Sequence, residues 1–291
     1  MNISGLIKRI TPLCLKILGK LPQCPWSSVM HPLNPRTLSP KRLPIKIDVI
    51  ETDGDLKKLR FNNKHNLWFP GTTRVNEDLW NEYLSVTWNS PVNSHYYFRD
   101  NVRIQPGDVC LDCGACEGIF ALLALEAGAK KVICIEPNEV MIKCLRKTFF
   151  DEIRQEKILI YQAALGGCCG ETFFSYDTSY PSYGIIGNAD TLDRSKIPLK
   201  TIDAILKEIK FDSIHFIKMD IEGAELEAIK GASQTILANR PKLAITTYHN
   251  AYDFKCLSFI LESYQMTSHA RGITLFGSKI YRPVLLHSPW N

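Results

Sequence analysis

From Gly107 onward, short apolar runs alternate with stretches whose apolar positions recur every three or four residues. The first pattern marks buried strands and the second marks helices packed by one face. "DVCLDCG" is a strand running into glycine, and "GIFALLALEAG" is a helix for which Gly128 is a suitable stop. "KKVICIEP" predicts a second strand; Asn138 can cap the helix after it, which carries Met141, Cys144, Leu145 and Phe149 on one face. "KILIYQAAL", "IHFIKMDI" and "KLAITTYH" predict a third, fourth and fifth strand, and "TIDAILKEI", "GAELEAIKGA" and "DFKCLSFILESY" predict helices. Gly166 to Leu199 carries aromatic, Gly, Pro and Ser signals and reads as a hairpin with a loop. The tail "YQMTSHA…GITLFGS" reads as two last strands in a hairpin.

Strands alternating with helices predict a Rossmann-like, doubly wound α/β fold: a mostly parallel sheet with right-handed crossovers and helices on both faces. Ligands bind such sheets beyond the carboxyl ends of the strands. The residues standing there are Asp112, Glu136, Ala164, Asp220 and His249. This domain spans residues 106–291. Residues 45–105 precede it as a part that packs on or covers it, and residues 1–44 form a basic, proline-rich extension.

Charge sets that extension apart. Met1 to Ile47 holds eight basic residues and no acid, so the chain's net +5 leaves −3 for the remainder (+5 less 8). "ISGLIKRITPLCLKILGKL" mixes aliphatic and basic residues at helical spacing, interrupted by Pro12. It reads either as an interfacial helix on an anionic membrane surface or as a segment packed on the domain or left as a leader. No run reaches the roughly 18 apolar residues of a spanning helix, and no secretory leader is evident because Lys16 interrupts the early apolar run. The ten cysteines fit no small secreted scaffold. Free thiols of this kind point to a reducing compartment, taken as the cytoplasm, with peripheral membrane contact through the basic arm as an addition.

Cys110, Cys113 and Cys116 raise an iron–sulfur reading, but its spacing next requires cysteine followed by proline, where Phe120 and Ala121 stand. Strand alternation also sends Cys110 and Cys113 to opposite faces. No metal is expected in this stretch. The competing reading gives each residue a task. Asp112 ends the strand, and Gly114 permits a sharp turn with Ala115 beside it. Gly118 lets the helix pack closely, and Glu136 lies 18 positions further on, where a carboxylate can accept both ribose hydroxyls. A dinucleotide loop needs a second glycine where Cys116 stands. A bulkier loop suits S-adenosyl-L-methionine, which has no diphosphate, and disfavours an NAD-linked oxidoreductase.

"DCGACEGIFALLA", "CIEPN", "QAALGG", "TIDAIL" and "IKMDIEGAELEAIKGA" resemble, in order, the motifs of the FkbM-type methyltransferases, a branch of the class I S-adenosylmethionine-dependent enzymes. The resemblance implies a seven-stranded sheet with an antiparallel last strand, and methyl transfer to a hydroxyl of a saccharide or other small metabolite. It further implies that Asp112, Gly114 and Gly118 line the methionine end of the cofactor, that Glu136 holds the ribose, and that Ala163 to Leu165 approach the adenine. Cys116 and Glu117 depart from the family's asparagine and apolar residue, which leaves backbone contacts as the expected loop contacts.

A hydroxyl acceptor must lose a proton, and Asp220, Glu222 and His249 are the candidates to take it. The plainer reading makes Asp220 a cap of the helix near Gly223, and makes Glu222 and Glu225 partners of that helix's positive end. A divalent cation held by these carboxylates and His249 is a third use. Acceptor specificity is expected in Leu67 to Asp100 and in Ser175 to Asn188, the least periodic parts. A nucleic-acid acceptor ranks behind a small molecule, because the basic arm lacks interleaved aromatics and the body is slightly acidic. A catalytically silent cofactor-fold module that docks a partner through the arm is the alternative from another class.

Overall fold

A computed structural model describes residues 44–90, 93, 95–99, 101–177, 180–186, 195–250, 252–272, 274–276 and 280–290, together with 13–19, 26 and 30 of the N-terminal arm. The arm's expected membrane role falls largely outside these residues. No described helix is long and apolar enough to cross a membrane.

The chain first builds an antiparallel meander, β1 (Ile47–Asp53), β2 (Leu56–Phe61) and β3 (His65–Pro70), followed by α1 (Glu77–Thr87). Asn76 caps α1 by accepting the Leu79 amide at 3.1 Å. Leu59, Phe61, Leu67 and Phe69 pack on Leu79, Trp80, Tyr83 and Leu84, and Ile119 joins this cluster from the following domain. The unit is thus attached through its own apolar core.

The larger domain begins with β4 (Val109–Cys113), α2 (Ile119–Glu126), β5 (Lys131–Ile135), α3 (Glu139–Thr148), α4 (Phe150–Arg154) and β6 (Ile158–Tyr161). A lateral excursion follows: β7 (Ala164–Leu165), β8 (Gly170–Asp177), β9 (Tyr180–Ile186) and β10 (Ser195–Lys200). The chain then returns through α5 (Ile202–Glu208), β11 (Phe216–Met219), α6 (Glu225–Lys230), α7 (Ser233–Asn239), β12 (Lys242–Thr246) and α8 (Asp253–Ser263). It ends with β13 (His269–Arg271), β14 (Thr274–Phe276), β15 (Ile280–Arg282) and β16 (Leu285–His287).

Seven strands form the central sheet in the order β13-β16-β12-β11-β4-β5-β6. The pairs from β12 to β6 are parallel, and β16 runs antiparallel to both neighbours. Strands covered on both faces read as unbroken apolar runs, and their alternation sorts them into two cores. Leu111, Cys113, Ile133, Ile135, Ile217 and Met219 face one core, while Cys110, Val132, Cys134 and Phe216 face the other. The parallel, doubly wound sheet with its antiparallel last strand is as the sequence implies.

Three expectations need correction. "KILIYQAAL" is not one strand: β6 ends at Tyr161, and Ala164–Leu165 leaves the sheet edge to pair with β10. The segment from Gly166 to Leu199 is more than a hairpin, because β10 completes a four-stranded sheet in the order β7-β10-β8-β9. In the tail, β14 pairs with β15 in a separate ribbon, and the partner of β13 is β16. The buried run Leu285–His287 takes the slot beside β12 because its apolar side chains fit between the two cores.

A candidate active site at the carboxyl ends of the strands

A cavity of about 810 Å³ opens where β4, β5 and β11 stop. Its floor is the glycine loop. Gly114, at φ +76, presses so closely on the end of β11 that a Cβ there would lie 1.9 Å from the Asp220 carbonyl oxygen. Only glycine satisfies both the backbone and the contact. The Gly114 and Ala115 amides donate to the Ile135 carbonyl at 3.0 and 3.2 Å, which ties the loop to β5. Gly118, at φ +90, starts α2; a Cβ on it would meet Phe149 and Leu145 of the α3 region at 2.4 and 2.9 Å. It therefore serves packing and lies behind the cavity wall.

Asp112 is also behind the wall, contrary to its expected place at the methionine end. It is completely buried, and its Oδ1 lies 3.1 Å from Lys218 Nζ. The reason is register: Asp112 and Lys218 are paired across β4 and β11 and emerge on the same face. Lys218 Nζ also donates to the Gly114 carbonyl at 2.6 Å and lines the cavity. Burial would lower the Lys218 pKa, but the charges of Asp112 and Asp220 outweigh it and hold the ammonium above its ordinary range.

Glu136 is where the sequence places it. Its side chain lines the cavity, with Oε2 accepting the Cys116 amide and Oε1 the Asn138 amide, each at 2.9 Å. Cys116 reaches that geometry with φ +48, a left-handed conformation rare outside glycine. Burial pushes Glu136 up to about 7, against the restraint of the two backbone amides. Ala164, between Ala163 and Leu165, forms the adjoining wall.

At the other end of the cavity, Asp220 accepts from Tyr97 OH through Oδ2 at 3.1 Å and from Thr246 Oγ1 through Oδ1 at 3.2 Å. It does not cap α6, whose N-terminal residue Ala224 makes no side-chain cap. Glu225 instead accepts the Ile221 amide at 3.0 Å. Glu222 takes φ +55 and Gly223 follows at φ +104, a left-handed pair that aims Glu222 at His249. Strain of this kind is retained where the surroundings demand it. His249 Nδ1 lies 2.9 Å from the fully buried Glu225 Oε1, and its Nε2 is 3.4 Å from Glu222 Oε2 and 3.6 Å from Asp220 Oδ1. Burial alone would lower the His249 pKa; Glu225, Asp220 and Glu222 overcome it and raise the ring to about 9. Burial lifts Glu222 to about 7.

The structure adds residues that sequence reasoning missed. Glu82 of α1 and Glu117 of the loop line the same cavity, and burial, then Glu117, Asp220 and Glu222, raise Glu82 to about 8. Glu225 opens α6, as expected of a helix-end acid, and is also the partner of His249. Lys218 had a legible signal, a lone lysine inside "IHFIKMDI". Tyr97 and Glu82 fall within Leu67 to Asp100, the stretch expected to set specificity, but nothing singled them out there, because only the fold of residues 45–105 over the sheet brings them to its carboxyl edge.

A sheet of this order with one reversed strand, a glycine loop after its first domain strand and an acid after its second define the molecule as a Rossmann-like methyltransferase. The profile of the methyltransferase FkbM domain matches residues 112–277, and the chain belongs to that family. It is similar to the crystal structure of the methyltransferase FkbM from Methylobacillus flagellatus KT, with 25% identity and a TM-score of 0.50 over 67% of this chain and 47% of that one. The present chain thus spans about half the length of that protein. Lower similarity extends to the precorrin-6y C5,15-methyltransferase from Geobacter metallireducens GS-15 (12% identity, TM-score 0.39, 65% and 82% covered). The C-terminal domain of the Rhodobacter capsulatus enzyme is comparable (14%, 0.37, 65% and 83%). No curated protein matches the chain.

Proposed function

We propose that the chain transfers a methyl group from S-adenosyl-L-methionine to a hydroxyl of a saccharide or other small metabolite. The observation that carries this reading is Glu136. Each of its oxygens accepts one backbone amide, and a carboxylate oxygen has a second lone pair free for a ribose hydroxyl. The remaining walls fit the same ligand. The Gly114–Cys116 backbone would face the methionine end, and Ala163–Leu165 would flank the adenine. Glu82, Glu117, Asp220 and Glu222 make the cavity acidic, which suits a sulfonium and opposes the diphosphate of a dinucleotide or the backbone of a nucleic acid.

The bound sulfonium supplies an already activated methyl group, so the protein's work is alignment, exclusion of water and handling of one proton. Tyr97 and Thr246 fix Asp220, and Glu225 fixes His249. Asp220, Glu222 and His249 then surround the place where an acceptor hydroxyl gives up its proton as the oxygen–carbon bond forms. Residues from the meander and α1, among them Phe69, Asn81 and Ser85, close the acceptor side.

Isothermal titration should show S-adenosylmethionine binding by the intact chain, greatly weakened in Glu136→Ala; a chain that binds none would defeat the reading. Labelled methyl groups should then pass into a cell extract. Cofactor binding without any transfer would favour the silent module over the enzyme.

A further inference from the structure

Asp220, Glu225 and His249 place one donor atom each within 4.8 Å of one another, and Asp220 lines the cavity. The two faces of the His249 ring are unlike. On one, Nδ1 meets Glu225, which sits at 0% exposure and is further held by the Ile221 amide and Thr246. On the other, Nε2 looks toward Asp220 Oδ1 and Glu222 Oε2 at 3.6 and 3.4 Å. These separations match the spacing of donors that share one ion, since bonds of about 2.1 Å at angles of roughly 100–120° put two donors about 3.2–3.6 Å apart.

Two further observations point the same way. Glu225 Oε2 is buried without a hydrogen-bond partner, so this carboxylate has acceptor capacity left over beside the ring. Glu222 reaches its position only through the left-handed backbone at φ +55.

We infer that Asp220, Glu222 and His249 Nε2 ligate a divalent cation, with Glu225 as the outer carboxylate that orients the imidazole. A histidine whose second nitrogen is held by a carboxylate is the usual support of such a centre. Two carboxylates and one imidazole leave coordination positions free, and both carboxylates line the cavity. Two oxygens of the acceptor, such as a vicinal diol, would complete the sphere. The ion would hold the acceptor at a fixed angle to the methyl donor and ease loss of its hydroxyl proton. This substrate assignment rests on the methyltransferase reading above; the ion site itself does not.

The test uses the full chain, freed of metal by chelation and titrated with Mn²⁺ and, in a second arm, Zn²⁺. Electron paramagnetic resonance follows the Mn²⁺ and calorimetry follows the Zn²⁺. Saturable binding of either ion at one site per chain is expected. His249→Ala and Asp220→Asn should weaken it roughly ten- to a hundredfold, and Glu225→Gln should do so less. Melting curves and S-adenosylmethionine titration of the same variants show that they remain folded. Failure of both ions to bind saturably overturns the inference, as does wild-type affinity in both His249→Ala and Asp220→Asn. A chain that binds S-adenosylmethionine but no ion refutes the cation alone, whereas one that binds the ion but no S-adenosylmethionine refutes the cofactor alone.

Discussion

Gly114→Ala is the sharpest single perturbation of the site. Two costs add at this position. The φ of +76 is foreign to an L side chain and costs roughly 1–2 kcal/mol. The new Cβ would stand 1.9 Å from the Asp220 carbonyl oxygen. That atom belongs to the backbone, so it cannot rotate away, and the loop or the end of β11 must retreat by more than about 1 Å. Overpacking of this kind costs roughly 1–3 kcal/mol. Together they give about 2–5 kcal/mol, a fall in melting temperature of roughly 5–15 °C for a domain of this size. The displacement also pulls at the Lys218 bond to the Gly114 carbonyl and the Cys116 bond to Glu136, so cofactor affinity should fall along with stability. Gly118→Ala is the comparison: its Cβ meets only side-chain atoms of Phe149 and Leu145, and Gly118 does not line the cavity. It should lose stability while keeping more of its cofactor affinity. Differential scanning calorimetry and isothermal titration read both quantities. A Gly114→Ala protein that melts within about 2 °C of wild type and binds S-adenosylmethionine equally well would refute the reasoning.

Glu136→Gln presents an amide N–H₂ to one of two backbone donors and weakens the ribose contact, so S-adenosylmethionine affinity should drop about a hundredfold or more by titration. Because Glu136 is raised to about 7, its contribution to folding is fully present below the ordinary carboxylate range and is lost as pH rises through about 7. Cofactor affinity should run the opposite way, strengthening from pH roughly 6 to 8 in wild type and less steeply in Glu136→Gln, where Glu222 and Glu82 still titrate. Lys218→Met strands the Asp112 charge in a dry core and should cost about 3–5 kcal/mol in denaturant unfolding; adding Asp112→Asn should recover much of it, and failure of that rescue would break the assigned pair. Tyr97→Phe removes the hydroxyl that fixes Asp220 and should slow methyl incorporation about tenfold with cofactor affinity unchanged; an unaltered rate would separate Tyr97 from the reaction.

The central sheet was legible because its strands are short apolar runs bounded by turn signals and separated by stretches of helical periodicity. Gly114 and Gly118 were legible as glycines because their positive φ and close packing tolerate few residues, and Glu136 because it is the acid that ends the second strand of the sheet. Asp112 was read at the right strand end and given the wrong partner, since sequence spacing does not say that Lys218 lies directly across from it. Glu225 was passed over as a helix-end acid because its role depends on β12 delivering His249 from 24 positions away. The tail was misassigned for want of any local cue that chooses between β14 and β16 as the partner of β13. Pairing across a sheet is decided by which run fills the gap between two layers, and that is a property of the whole assembly.

The two sides of the cavity are built from different parts of the chain and fastened differently. The side nearest the glycine loop is lashed through Lys218 and Glu136 to strands at the sheet's centre. The opposite side is roofed by a meander and one helix that carry their own apolar interior. Such a division means that substitutions in the roof can reshape one wall of the cavity while the wall anchored in the central sheet keeps its form.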